Sequence, residues 1–129
     1  MAFGYGVQVV NELAAVRLEE LLLALRRFNA DREWAQFHGV KNLSMALASE
    51  VGELVALLRW KEPARAEREH LDADELARLE DEIGDVMLVL LNLSDRLGVD
   101  LVEAAARKLA KNALKYSIDV ARASAEPRE

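Results

Sequence analysis

Two short stretches carry acids at a spacing that can do chemistry: Glu50-Val51-Gly52-Glu53 and Glu82-Ile83-Gly84-Asp85. In each, two acids lie three residues apart inside an apolar run with helical period. On a helix, residues i and i+3 stand about 60° apart on one face. With Glu50 as zero, Leu43, Leu47, Leu54 and Leu57 fall within about 60° of it. Around Glu82 the same holds for Leu79, Val86, Val89 and Leu93, again within about 60°. Both glutamates are therefore expected in the middle of a stripe that faces a core, with Glu53 and Asp85 at its edge.

A buried, unpaired carboxylate costs several kcal/mol and tends to take up a proton. Four of them together repel one another, so a cation is expected between them. No lysine or arginine occupies the centre of either stripe, although Arg78 and Arg96 lie near the acid edge of the later one. Oxygen-only ligands suit a hard divalent cation, Mg²⁺ or Mn²⁺, and helical bundles are known hosts for such sites. The plain alternative is that the acids face water or pair with lysines, since ExxE is common on helices. Two such motifs, each centred on an apolar face, favour the metal. Other chemistries lack their residues. Cysteine is absent, which excludes disulfides, thiol nucleophiles and thiolate metal sites. No HExxH is present, and neither acid pair carries the ExxH that a di-iron bundle would need. No GxxxxGK[ST] phosphate loop is present, and neither Ser44 nor Ser49 sits in a GxSxG turn.

Other residues flank the acids. Trp34, Phe37 and His38 come just before the helix of Glu50, and Trp60 closes it. Aromatics at helix ends either stack on a flat ligand or cap a core. Lys41 and Asn42 lie where that helix begins, where free N–H groups favour an anion. Lys108, Asn112 and Lys115 form a polar stripe of i, i+4, i+7 spacing, which is either a phosphate contact or a solvated face.

The elements that must position these residues are helices. Only Pro63 and Pro127 interrupt 129 residues, 52% of them apolar, which reads as one all-α domain. The first helix is expected from about Asn11, as N-cap, to Ala35, with Gly39 as a stop. The second runs from Val40 or Asn42 to Arg59 or Trp60, before Pro63. Lys61 to Asp74 reads as a loop. The third is capped by Asp72 or Asp74, with Glu75 in its first turn, and ends at Leu97 before Gly98. Asp100 opens a fourth, Leu101 to about Ala121. Residues 1–10 and 122–129 are expected to be arm-like or frayed. The net charge of −6 argues against a protein held on a nucleic-acid polymer by bulk electrostatics. No apolar run approaches the ~20 residues needed to span a membrane. Residues 1–10 lack the basic and apolar regions of a secretory leader, so a cytoplasmic protein is expected.

Taken together, Trp34-x-x-Phe37-His38, Lys41-Asn42-Leu43, Glu50-Val51-Gly52-Glu53-Leu54, Trp60-Lys61, Glu82-x-x-Asp85-Val86 and Lys108-x-x-x-Asn112-x-x-Lys115-Tyr116 resemble the MazG-like, all-α nucleoside triphosphate pyrophosphatases. The likeness spans Leu25 to Tyr116 and is nearest to the dCTP pyrophosphatase branch. It implies an oligomeric four-helix bundle, a homodimer or homotetramer. It implies hydrolysis of a nucleoside triphosphate between its α and β phosphates, giving a monophosphate and pyrophosphate. It implies that Glu50, Glu53, Glu82 and Asp85 hold Mg²⁺, and that Lys108 and Asn112 meet the nucleotide. It also implies that Trp34, His38 and Trp60 line the base pocket, with Phe37, Lys41 and Asn42 beside it. Either Glu50 or Glu53 would take the proton of the attacking water. Members of the branch can carry a histidine near the position of Leu25 and a tyrosine near that of Val89; both are aliphatic here. Other readings are the same fold acting on dUTP, phosphoribosyl-ATP or a modified nucleotide, and a non-catalytic helical adaptor.

Overall fold

Helices carry almost all of the chain in the computed structural model, which describes residues 17–123. Five α-helices are present among them: α1 (Leu18–Asp31), α2 (Val40–Leu58), α3 (Ala73–Leu97), α4 (Leu101–Lys115) and α5 (Ile118–Ala123). Three single 3₁₀ turns join them, at Trp34–Phe37, Pro63–Arg65 and Arg68–His70. No strand occurs among the described residues. The contacts fall into two compact units, one ending at Leu97 and the other starting at Gly98.

In the first unit α2 lies along α3, and α1 packs on α3. Its buried apolar side chains among the described residues are Leu25 on α1, Leu43 on α2, and Leu79 and Leu91 on α3, with the Ser94 hydroxyl buried beside them. These leucines come from the stripes that the helical period marks. The α1–α3 contact carries two polar rungs beside the leucines. Arg26 donates from Nε to both carboxylate oxygens of Asp95, at 3.0 and 3.1 Å, and its terminal nitrogen reaches Oδ1 at 2.6 Å. One turn along, Asn29 Nδ2 donates to Asn92 Oδ1 at 2.8 Å. The rungs run in opposite order on the two helices, so α1 and α3 are antiparallel. Sequence reasoning missed them, because a helical period shows faces and not partners across an interface.

The helix ends follow local chemistry. Asp72 accepts from the N–H of Glu75 at 2.8 Å, and Glu75 accepts from the N–H of Asp72 at 3.0 Å, a reciprocal capping box at the start of α3. Asp100 accepts from the Glu103 N–H at 2.8 Å and opens α4. Glu103 does not complete a box there, because its carboxylate pairs with Arg107 one turn on. Gly98 ends α3 with φ +67°, the left-handed conformation that favours glycine.

Three expectations change. The first helix stops at Asp31, not Ala35: the N–H groups of Arg32 and Glu33 bond three residues back, and Glu33 turns left-handed with φ 54°. Its expected start at Asn11 lies outside the described residues. Gly39 is the N-cap of α2, with extended backbone, and not a stop for the helix before it. The expected fourth helix is divided at Tyr116 and Ser117, where the Ser117 hydroxyl accepts from the Val120 N–H at 3.4 Å and starts a new turn. Residues 122 and 123 thus belong to a helix rather than a frayed end.

Candidate functional site

The facing stripes of α2 and α3 bring acids together as the spacing requires. Glu50 and Glu53 on α2 and Glu82 on α3 each place a carboxylate oxygen within 4.8 Å of the others. Glu50 and Glu82 are half-buried and Glu53 is exposed. One oxygen of each half-buried acid, Oε2 in both, is enclosed and accepts no hydrogen bond among the described residues. Buried polar atoms are nearly always satisfied in folded proteins, so two carboxylate oxygens without a donor at one place leave room for a proton or a cation. The fourth acid of the pattern, Asp85, is exposed and stands outside this tight group. Its charge still bears on both Glu50 and Glu82.

The electrostatics record the crowding. Burial pushes the Glu50 carboxyl up to about 7, helped by its contact with the Glu53 carboxyl and then by the charges of Glu53, Asp85 and Glu82. Glu82 is raised too, again first by burial and then by Glu53, with Asp85 and Asp81 adding to it. Neither arginine near the acid edge relieves this. Arg78 acts on Glu75 instead. A divalent cation bound by oxygen ligands fits these residues: three converging carboxylates, two of them with enclosed, unused lone pairs.

The aromatic residues sort into two places. The Trp34–Phe37 turn sets Trp34 edge-on to Phe28, with centroids 5.4 Å apart, and edge-on to His38 at 6.2 Å. Arg32 lies over the other aromatic of this cluster, its guanidinium carbon 3.6 Å from the Phe28 centroid. Phe37 is exposed, and its carbonyl accepts from Asn42 Nδ2 at 3.4 Å, tying the turn to the first turn of α2. Lys41 is exposed beside it. Trp60 follows the opposite end of α2 and is 84% exposed. Only the guanidinium of Arg59, 5.2 Å from the ring centroid, lies against it among the described ring contacts. Lys108 (exposed) and Asn112 (half-buried) occupy successive turns of α4 in the second unit.

Comparison with known proteins gives the same direction as the acids. A profile described as the MazG-like family matches residues 45–126, which spans both acid pairs and continues through α4. The dCTP pyrophosphatase 1 of Rattus norvegicus is 38% identical over 108 residues, 84% of this chain and 64% of that protein. The dCTP pyrophosphatase 1 of Homo sapiens is 37% identical over 107 residues, 83% of this chain and 63% of that protein. The chain therefore spans a little under two-thirds of the length of these relatives. A crystal structure of a pyrophosphatase from Archaeoglobus fulgidus superposes with a TM-score of 0.72 at 38% identity, covering 78% of this chain and 92% of that one.

Proposed function

This chain belongs to the MazG-like family, and from that membership and its acid cluster we propose that it is a nucleoside triphosphate pyrophosphohydrolase dependent on Mg²⁺, for which Mn²⁺ can substitute. The observation that carries the reading is the convergence of the Glu50, Glu53 and Glu82 carboxylates within 4.8 Å, two of them with an enclosed Oε2 that accepts no hydrogen bond. A core acid without a donor has no structural use. Glu50, Glu53 and Glu82 would hold the metal, with Asp85 closing the set from its exposed position. The bound cation supplies charge neutralisation for the triphosphate and its developing negative charge. Glu50 or Glu53 takes the proton of the water that attacks in line at the α-phosphorus, and pyrophosphate departs.

The nucleotide is assigned as dCTP or a related or modified pyrimidine nucleotide. The dCTP pyrophosphatase names of the relatives support it. Trp34, Phe37, His38, Lys41, Asn42 and Trp60 are the proposed contacts near base and sugar, and Lys108 and Asn112 the proposed polar contacts on α4. The aliphatic Leu25 and Val89 leave out two polar groups that members of the branch can carry, so the panel of substrates must extend past dCTP.

Self-association completes the proposal. The 19 residues of α2 make a rod about 28 Å long, with Trp34 and His38 before its start and Trp60 beyond its end. One base cannot touch both ends, so a pocket lined by all three draws them from two copies. Open apolar side chains such as Leu23 (60% exposed) and Phe37 (63%) are consistent with a surface that another copy covers.

The test is incubation with Mg²⁺ and each of dCTP, its ribose and methylated forms, dUTP and phosphoribosyl-ATP. Monophosphate plus pyrophosphate is expected. Diphosphate plus orthophosphate would contradict the bond assignment, and no turnover of any nucleotide would contradict the class.

A further inference from the structure

Among the described residues, one ion pair joins the two acid-bearing helices: Lys61, just past the end of α2, and Glu75, in the first turn of α3. Both side chains are more than two-thirds covered, and Leu57, Leu58, Leu71 and Leu79 line a cavity of about 80 Å³ with them. Lys61 holds the Glu75 carboxyl below its ordinary range, with the backbone N–H of Asp72 adding to the effect. The position of this pair is informative. Glu75 precedes Glu82 by two turns on the same stripe of α3, about 10 Å along the axis. Lys61 immediately follows Trp60.

Trp60 has little else to fix it. The residue is 84% exposed, and among the described ring contacts it meets only Arg59. Before Trp60 the last helical bond is that of the Arg59 N–H, which reaches the Val55 carbonyl at 2.8 Å, and after it the Lys61 N–H closes a turn on the Leu58 carbonyl at 2.9 Å. Beyond Lys61 the chain becomes extended at Glu62 and enters the Pro63 turn. The last anchored point of α2 on that side is thus the Lys61 ammonium on Glu75. An open aromatic on an untied helix end would sample many directions, and ordering it would be charged against binding.

We propose that the Lys61–Glu75 pair is a positioning device for Trp60, holding the indole at a fixed place relative to the Glu50–Glu53–Glu82 cluster so that a base can stack on it. The proposal rests on the nucleotide reading given above. Glu75 also caps α3 through the Asp72 N–H, and the two roles separate by substitution. Glu75→Gln keeps an oxygen for the Asp72 N–H, since glutamine serves in a capping box, but loses the ion pair. Lys61→Met loses the pair from the other side, and Lys61→Arg restores a cation that can meet Glu75.

The experiment combines dCTP kinetics with ¹⁹F NMR of protein carrying 5-fluorotryptophan at Trp34 and Trp60. For Glu75→Gln and Lys61→Met, KM should rise about fivefold or more while kcat stays within about twofold and the Mg²⁺ midpoint is unchanged. The Trp60 resonance should shift and the Trp34 resonance should not. Lys61→Arg should return both readouts to wild type. Wild-type KM with an unmoved Trp60 resonance would overturn the proposal. So would movement of both resonances with a parallel loss of kcat and Mg²⁺ affinity, since that reports a general loss of structure. If the unsubstituted protein turns over no nucleotide, the proposed function fails, and the Trp60 resonance still decides whether the tie exists.

Discussion

Glu50 and Glu82 stand on different helices, yet their carboxylates approach within 4.8 Å and each leaves an enclosed Oε2 without a donor. Ordinary packing does not produce this. Two leucines at these places would extend the seam of Leu43, Leu79 and their neighbours without penalty. Burial first, and then neighbouring acids, Glu53 foremost, raise the affinity of both glutamates for protons, with Glu50 at about 7. The seam between α2 and α3 therefore holds carboxylate oxygens that no group among the described residues satisfies.

Mg²⁺ or Mn²⁺ should raise the thermal midpoint of the protein, because a ligand bound only by the native state stabilises it. A shift of the order of 8–15 °C is expected at ~100-fold excess over Kd, where linkage contributes about 2.7 kcal/mol. Glu82→Gln, which removes charge and retains shape, should abolish the shift while the metal-free protein melts no lower than wild type. An unchanged midpoint with either metal would sink the metal assignment.

Asp95 gives a pH dependence of known sign. Its hydrogen bonds from Arg26 hold its carboxyl below the ordinary 3.8, against the opposing effect of partial burial. A group whose folded value is depressed contributes stability above the unfolded value and loses it as pH falls through the folded one. Wild type should therefore exceed Asp95→Asn by about 0.5–1 kcal/mol at pH 7, less at high salt, because the pair is largely exposed. The gap should close as pH is taken below the usual carboxylate range. Urea unfolding at several pH values reads this directly, and equal stability at neutral pH would show the pair to be inert.

Leu91 is 1% exposed, the most enclosed large side chain among the described residues. Leu91→Ala should lower stability by about 2–5 kcal/mol, the usual result of an unfilled cavity. Against a total of about 5–15 kcal/mol this is a large share, and urea unfolding at 25 °C measures it. A loss below about 1 kcal/mol would mean that α3 does not organise the first unit.

The proposed sharing of the base pocket between copies predicts complementation. Trp34→Ala and Trp60→Ala should each impair dCTP hydrolysis. Mixed after gentle dissociation and reassociation, they should recover part of the lost activity, since a mixed pair holds one site with both tryptophans. Recovery would be absent if a single copy carried the whole pocket.

Much of this was legible before any coordinates. The acids announced themselves because three-residue spacing on a leucine stripe leaves their direction no freedom. The cap at Asp72 and Glu75 and the stop at Gly98 follow from short-range chemistry, and both are present. The left-handed Glu33 was not legible, because a bulky acid is an uncommon occupant of that conformation. Nor was the break at Tyr116–Ser117, where no proline or glycine marks it. Asp85 shows a subtler limit. A period places it at the stripe's edge, but only the crossing of two helices decides that it stays outside the tight group.

The two rungs between α1 and α3 act as an index. A leucine stripe alone lets one helix creep along another by a turn, since each leucine finds a substitute. Here such a slip would set Asn29 against Asp95, or Arg26 against Asn92, and strand a charge. α1 leads directly into the turn bearing Trp34, and α3 bears Glu82. Two polar notches away from Glu50 and Glu82 thus fix how far the aromatic corner stands from the acid cluster.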